Sequence, residues 1–294
     1  MGIGRRIAAA LARLPAVAIT TLLSACAPIE SLNALLVPDD GWRAEHGIAY
    51  GDGDRRKLDI YMPDPAVDKA PVVVFIYGGS WSGGKRGYYR FVGEALTSRG
   101  FVVVIPDYRV YPEVGFPVFV EDGAAAVAWV HANIARWGGD PDRVTLMGHS
   151  AGAHIAALLA TDRHYLADVG LPPGAVRGFI GLAGPYAIDP SRYKSIRPIF
   201  ASAESLEATQ PITFIDGDEP PMLLLHGAAD ETVFPVNTLA FGDRMRAFGR
   251  SAEVIEYEGV GHVRIVLDMA EPFRRPGGVL DDVDRFLQAN TPNR

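Results

Sequence analysis

Apolar residues in this chain occur in short β-branched runs that alternate with helix-like stretches. The runs APVVVFIYGG (70–79) and FVVVIPDY (101–108) are nearly continuous, which is typical of strands buried on both faces of a parallel sheet. KLDIYMP (57–63) instead alternates its faces and ends in proline, and DRVTLMG (142–148) is predicted to be a third core strand. Later strands are predicted at 178–184, 220–227 and 252–259.

Helical patterns fill the intervals between these strands. They cover 87–98, 117–136, an alanine-rich stretch that opens at Ser150, 236–248, 263–271 and 281–290. Strands that alternate with helices indicate an α/β fold with a mostly parallel central sheet flanked by helices. No internal repeat or second core interrupts the pattern, so residues 46–294 are predicted to form one domain. The weakly periodic segment 185–219 is expected to be a short insertion or lid.

Composition agrees with a globular protein that has a sizeable core. Apolar residues make up 48% of the 294 positions and charged residues 21%. The formal net charge is -7, whereas a nucleic-acid-binding face or an anionic-membrane face requires clustered Lys and Arg. The charge therefore argues against both kinds of partner.

The first 26 residues differ from the rest of the chain. MGIGRR is a short basic start, and Leu14 to Ala25 is an apolar run that is too short for a comfortable bilayer span. This plan predicts a signal peptide over residues 1–25. Its end, Leu23-Ser24-Ala25-Cys26, resembles the lipobox of bacterial lipoproteins, in which a lipid is attached to the cysteine that follows the cleavage site.

Cys26 is the only cysteine of the chain, so it can form no internal disulfide. The lipobox resemblance implies export across the inner membrane of a bacterium and a lipid anchor at Cys26, facing the periplasm or the cell exterior. Residues 26–45 are then expected to form a tether. The alternatives are a plain signal peptide or an uncleaved anchor with an incidental cysteine. The remaining body is acidic, so membrane attachment would depend on acyl chains rather than on charge.

A serine is enclosed by glycines where the third core strand ends, in Gly148-His149-Ser150-Ala151-Gly152. This matches the G-x-S-x-G pattern, in which glycines leave room for a sharp strand-to-helix turn that exposes the serine hydroxyl. In an α/β sheet such a turn lies beyond the carboxyl ends of the strands, where functional groups collect. A tight packing turn without chemistry is the alternative for the pentapeptide alone.

A serine hydroxyl needs a base that takes its proton and an acid that orients the base. Asp230 and His262 each follow a later predicted strand, in the chain order serine, acid, histidine. Glu231 and Asp218 are competing acids, but Asp230 fits the HGxxD spacing. The sequence therefore predicts Ser150, His262 and Asp230 as a catalytic triad.

With these residues in place, the chain resembles the α/β-hydrolase family from about Lys57 to Leu287. Within that fold it looks most like bacterial carboxylesterases related to hormone-sensitive lipase, feruloyl esterases and kynurenine formamidases. The resemblance is carried by YGGSW (77–81), PDYRVYPEVGFP (106–117), the serine turn, HGAADETV (226–233) and GVGH (259–262). These motifs are specific for the fold and the triad and much less specific for the substrate.

The resemblance also implies an oxyanion hole, because preorganised N–H groups stabilise the negative charge that acyl transfer places on the carbonyl oxygen. Its donors are expected to be the backbone N–H groups of Gly79, Ser80 and Ala151. The family usually has His-Gly-Gly-Gly-Trp or His-Gly-Gly-x-Trp here, whereas this chain has YGGSW. Tyr77 therefore leaves open which contact replaces that of the histidine. Trp81 is expected either to line the substrate pocket or to serve packing.

Several other polar residues are expected to have structural rather than catalytic roles. His149 should point away from the serine, His226 should be a satisfied buried histidine, and His154 should pack or line the pocket wall. No His, Asp and Glu cluster has metal-ligand spacing and no phosphate-binding loop is present, so no metal or other cofactor is predicted. Three more residues are expected to hold loops and scaffold together: Asp107, Arg109 and Asp122.

The function predicted from these features is that of a serine carboxylesterase acting on small or medium esters through an acyl-enzyme. An arylformamidase or another amide hydrolase is the alternative within the same chemistry, because the triad would be the same. A non-catalytic binding protein with a hydrolase fold is the alternative from another class, and an intact triad disfavours it.

Overall fold

The computed structural model describes residues 36–291, and the strands of this range form one eight-stranded sheet. The strands are β1 (Trp42–Ala49), β2 (Lys57–Pro63), β3 (Ala70–Ile76), β4 (Val102–Pro106), β5 (Gly139–His149), β6 (Val176–Leu182), β7 (Met222–Gly227) and β8 (Ala252–Tyr257). Their spatial order is β1-β2-β4-β3-β5-β6-β7-β8. The pairs β1/β2 and β2/β4 are antiparallel, and all other neighbours are parallel.

Helices follow most of the strands. They are α1 (Arg90–Thr97), α2 (Val118–Asn133), α3 (Ala151–Thr161), α4 (Arg163–Asp168), α5 (Val236–Ala247), α6 (Arg264–Leu267) and α7 (Val279–Asn290). Within residues 36–291, none of the helices is both long and apolar enough to span a bilayer. The predicted α/β fold with a mostly parallel sheet and flanking helices is confirmed.

The continuous β-branched runs form the centre of the core. Every residue of β3, β4 and β7 is buried, as expected for strands covered on both faces. Helices α2 and α3 pack against each other and against β5, while α7 packs against α1, β6 and β7. The central strands are therefore covered on both faces, and the loops at their carboxyl ends start from buried positions.

The sequence-based tether at 26–45 extends too far, because β1 begins at Trp42 and pairs with β2. Leu36 and Val37 are also buried in the hydrophobic core. The strand is at the edge of the sheet and all of its residues are exposed or half-buried, with Arg43 and Glu45 exposed to solvent. An edge strand of this kind lacks the apolar run that identified the central strands. The predicted signal peptide and Cys26 lie outside the described residues.

Two segments, 263–271 and 185–219, contain only short helices. The helix expected at 263–271 is only the short α6, which ends at Leu267 and is followed by a turn and by a 3-10 turn at Glu271–Phe273, where Pro272 has no N–H for an α-helical hydrogen bond. The expected lid at 185–219 lies between β6 and β7 and contains four short 3-10 helices, Pro190–Arg192, Arg197–Phe200, Glu207–Thr209 and Pro211–Phe214.

Candidate active site

Ser150 occupies the turn between β5 and α3. Its backbone has φ 56° and ψ −124°, a conformation that residues other than glycine rarely adopt. The flanking glycines make the turn possible, since a Cβ on Gly148 would collide with the backbone of Gly152. A Cβ on Gly152 would in turn collide with the carbonyl oxygen of Ile76. The strained turn leaves Ser150 half-buried beyond the carboxyl end of β5.

The loops after β7 and β8 bring an acid and a histidine to this serine. His262 Nε2 lies 2.8 Å from Ser150 Oγ, and His262 Nδ1 lies 2.7 Å from Asp230 Oδ2. Because an ionised carboxylate only accepts hydrogen bonds, Nδ1 carries the hydrogen and Nε2 is left to accept the serine proton. The structure thus brings the three predicted side chains together in the arrangement that general-base catalysis requires.

Backbone donors fix the carboxylate of Asp230. Its Oδ1 accepts hydrogen bonds from the N–H groups of Thr232 (2.8 Å) and Val233 (2.9 Å). Burial raises the pKa of Asp230, but the interactions with His226 and His262 and the hydrogen bond from the Val233 N–H together outweigh that effect and hold the pKa below its usual range. Asp230 therefore stays ionised at neutral pH and keeps the imidazole of His262 oriented.

Backbone N–H groups border the serine on two sides. Ala151 begins α3, whose N-terminus carries positive partial charge. The turn after β3 approaches from another side, since a Cβ on Gly78 would lie 3.0 Å from Ser150 Cβ. In that turn Gly79 has φ 147° and Ser80 has φ 51°, so Ser80 adopts a left-handed conformation despite its side chain. Gly79 and Ser80 thus belong to a turn that approaches the serine at Gly78, and Ala151 follows the serine directly, while the role of all three as an oxyanion hole stays a prediction.

Tyr77, at the position of the usual family histidine, is fully buried just before this turn. Its hydroxyl donates to Asp107 Oδ1 (2.7 Å) and accepts from Arg55 Nη2 (3.1 Å), and its ring stacks on two other tyrosines. Burial raises the pKa of Tyr77, so the hydroxyl keeps the hydrogen that it donates. Asp107 also accepts from the backbone N–H and the guanidinium of Arg86. Tyr77 therefore anchors the turn to a buried carboxylate, and Asp107 holds loops together as expected.

Carboxylates outside the triad have structural partners. Asp122 is buried on α2 and accepts from the backbone N–H, Nε and Nη2 of Arg109 at 2.8–2.9 Å. Asp218 pairs with exposed Arg163, and Glu231 is exposed. Asp230, rather than either competing acid, is thus the carboxylate that contacts the histidine.

Trp81 lies in an aromatic cluster rather than on an open pocket wall. It is 4% exposed and its ring makes edge contacts with His154 and Phe200, and a tilted contact with Phe119. Phe200 belongs to the segment predicted as a lid, and His154 Nε2 lies 2.7 Å from the backbone carbonyl of Thr209 in the same segment. Trp81 therefore packs the lid segment against α3, and a substrate contact by this side chain stays a prediction.

Two histidines for which the sequence predicted structural roles contact residues of the predicted triad. His149 Nε2 lies 2.9 Å from the backbone carbonyl oxygen of His262. His226 is fully buried, with Nδ1 at 2.6 Å from Thr238 Oγ1 and Nε2 at 3.2 Å from Asp230 Oδ2. Sequence reasoning missed both contacts. The available signal was their place in the motifs, with His149 next to the serine and His226 four residues before the acid.

Comparison with known proteins agrees with this geometry. The family model described as prolyl oligopeptidase family matches residues 118–290, more than half of the chain, and the BD-FAE model matches residues 58–169. A probable isoprenylcysteine alpha-carbonyl methylesterase of Arabidopsis thaliana is 32% identical over 79% of this chain and 52% of its own length. Esterase LipC of Mycobacterium tuberculosis is 32% identical over 76% of this chain and 60% of its own length.

A solved structure supports the same assignment. The thermophilic esterase Est2 of Thermogutta terrifontis is 25% identical, with a TM-score of 0.69 over 86% of this chain and 94% of that chain. The chain spans little more than half the length of the two curated relatives, so its match to them covers only part of each protein. The resemblance to α/β-hydrolases of the serine esterase type is confirmed, and the chain belongs to the prolyl oligopeptidase family.

Proposed function

We propose that this protein is a serine carboxylesterase that hydrolyses small or medium carboxylic esters. The proposal is carried by the hydrogen-bonded chain from Ser150 through His262 to Asp230. Relatives named as esterases support the reaction class. No residue in this chemistry requires a metal or an organic cofactor, because the nucleophile, the base and the acid are all side chains.

In the proposed reaction, Ser150 Oγ attacks the ester carbonyl while His262 Nε2 takes its proton. Asp230 stabilises the imidazolium, and the N–H groups at the two borders of the serine stabilise the oxyanion. The imidazolium then gives its proton to the leaving alcohol, which leaves an acyl group on the serine. Water, activated by the same histidine, hydrolyses that acyl-enzyme and restores the free hydroxyl.

The proposal is tested by Ser150→Ala with p-nitrophenyl acetate as substrate. Loss of the nucleophile is expected to lower kcat by a factor on the order of 10⁴ or more, while the thermal unfolding midpoint changes little. Ser251→Ala, an exposed serine that follows α5, is the matched control and is expected to keep the wild-type rate. Wild-type turnover by folded Ser150→Ala would refute the proposal, and stoichiometric labelling of wild-type protein by a fluorophosphonate would support it.

The amide alternative uses the same three side chains, so only relative rates separate it from the ester reaction. We expect kcat/KM of the mature protein to be higher for short p-nitrophenyl esters and feruloyl esters than for N-formylkynurenine. The reverse order would assign the site to amide hydrolysis.

We further propose, from the sequence alone, that Cys26 carries the lipid anchor of an exported protein. The lipobox-like end of the apolar run supports this proposal. Cys26→Ala is expected to move the protein from the membrane fraction to the soluble fraction, and mass spectrometry of the wild-type N-terminal peptide should detect the diacylglycerol. An unmodified Cys26 in membrane-extracted protein would refute it.

A further inference from the structure

The carboxylate of Asp230 is shared by two imidazoles. Its Oδ2 lies 2.7 Å from Nδ1 of His262 and 3.2 Å from Nε2 of His226. His226 lies near the end of β7, and neither its side chain nor that of Asp230 is exposed. The second imidazole is therefore a fixed part of the surroundings of the acid.

The hydrogen on His226 Nε2 follows from its other neighbour. Nε2 lies 2.8 Å from the carbonyl oxygen of Val233, and a carbonyl oxygen can only accept a hydrogen bond. Nε2 therefore carries a hydrogen, which it donates to Val233, and the carboxylate oxygen Oδ2 of Asp230, 3.2 Å from the same nitrogen, is the second and more distant acceptor beside this N–H. At the other side of the ring, Nδ1 lies 2.6 Å from Thr238 Oγ1, which can donate to a neutral ring or accept from a charged one. The N–H that faces Asp230 is present in both charge states.

We infer that His226 is a positioning residue of the proposed triad, which holds Asp230 and partly neutralises its charge through the Nε2–H group. This inference rests on the proposed function and extends it to a fourth side chain. His226 touches neither the serine nor a substrate, so it acts only through the carboxylate. Without it, Asp230 would present a less compensated charge to His262 and would stabilise the imidazolium form more strongly.

The groups that face this carboxylate from the packed elements are few. The turn after β5 contributes His149, whose ring centroid lies 5.0 Å from that of His262. Burial, followed by the charge on His262, lowers the pKa of His149 to about 3, so this ring stays neutral above that pH. From α5, the hydroxyl of Thr238 contacts His226, and the exposed Glu231 follows Asp230 in its own loop. A change at position 226 is therefore expected to affect His262 through the carboxylate of Asp230 that the two imidazoles share.

The experiment compares two amides that differ by one methylene. His226→Gln can place an N–H near the position of Nε2, whereas His226→Asn is too short to reach Asp230. In the Asn variant, the acidic limb of the plot of kcat/KM against pH, with p-nitrophenyl acetate as substrate, is expected to move to higher pH by about 0.5–1 unit. The Gln variant is expected to keep the wild-type limb. His131→Gln on α2, remote from the site in sequence and fold, is the matched histidine control.

A second readout does not depend on turnover. The Nδ1–H proton between His262 and Asp230 should give a low-field ¹H NMR resonance, which is expected to move further downfield in His226→Asn and not in His226→Gln. His226→Leu fills the cavity without a polar group and serves as the second donor-free variant if the Asn variant does not fold.

The outcomes separate this inference from the function on which it rests. If wild-type activity depends on Ser150 but folded donor-free variants keep the wild-type limb and resonance, the role of His226 is refuted and the triad stands. If the Gln and Asn variants shift alike, the effect is general to the loss of the ring and the N–H argument is refuted. If the wild-type protein has no Ser150-dependent activity, the proposed function fails, and the resonance alone decides the contact of His226.

Discussion

His149 and His262 lie side by side, with ring centroids 5.0 Å apart, and His149 Nε2 donates to the backbone carbonyl of His262. The carbonyl oxygen fixes the hydrogen on Nε2, and burial lowers the pKa of His149 to about 3. This neutral ring next to Ser150, whose Nε2–H already donates to a backbone carbonyl, therefore supports the histidine loop.

Removing this support is expected to slow the reaction without removing any reacting group. His149→Ala should lower kcat/KM for p-nitrophenyl acetate by about tenfold to a hundredfold, because small displacements of a catalytic base are costly. His149→Gln should retain most of the activity, since its amide can donate to the same carbonyl. Equal activity of both variants and the wild-type protein, with unfolding midpoints unchanged, would contradict this account.

Gly152→Ala should be damaging because there is no space for a Cβ at the start of α3. The added atom would collide with the carbonyl oxygens of Ile76 and Tyr77 at the end of β3. We expect a loss of about 1–3 kcal/mol or more in the free energy of unfolding, measured by urea titration. Gly87→Ala is the control, because a Cβ there meets open space, and its stability should be close to that of the wild type.

Tyr77→Phe tests the anchor of the turn after β3. The variant keeps the stacked ring but removes the donor to Asp107, so we expect a loss of about 1–2 kcal/mol in unfolding free energy. Activity should fall less than in His149→Ala, because the backbone N–H groups of the turn remain. Tyr77→Phe with wild-type stability would show that Arg86 alone satisfies the carboxylate.

His154 predicts a pH dependence of stability. It is completely buried, and burial lowers its pKa from 6.5 to about 4. Between pH 6.5 and 4 the unfolded chain therefore binds a proton at this position that the folded chain does not. Stability should fall as the pH falls through this window, by up to about 1.4 kcal/mol per pH unit.

His154→Gln separates this effect from other titrations. Glutamine can still donate to the Thr209 carbonyl, which lies 2.7 Å from His154 Nε2, but it does not titrate. Between pH 7 and pH 4.5 the unfolding free energy of the variant should fall by about 2 kcal/mol less than that of the wild type. Parallel urea titrations at the two pH values measure the difference, and identical losses would contradict the prediction.

The sequence predicted what local patterns determine. The apolar runs located β3 and β4 within a few residues, and the glycines around Ser150 indicated the strained turn found between β5 and α3. The HGxxD spacing distinguished Asp230 from its neighbour Glu231. Two-sided burial, missing Cβ atoms and a short motif spacing are each visible in residues that are close together in the sequence.

Contacts between segments that are far apart in the sequence could not be predicted in this way. The hydrogen bond from Tyr77 to Asp107 joins residues on two different strand ends, and Arg86 reaches the same carboxylate from a third segment. The first half of the edge strand β1 was assigned to a tether because its pairing with β2 uses backbone groups that every sequence possesses. Register, pairing partners and side-chain networks depend on the assembled sheet, so they could be read only from the structure.

The proposed nucleophile Ser150 follows β5, whereas its proposed base His262 follows β8, the last strand in chain order among the described residues. A nascent chain that has formed only the first five strands therefore contains a serine hydroxyl that no base activates. Reactivity arises only after nearly all of the polypeptide has been synthesised and folded. A C-terminal truncation that removes His262 should consequently have no esterase activity, even when the turn at Ser150 is intact.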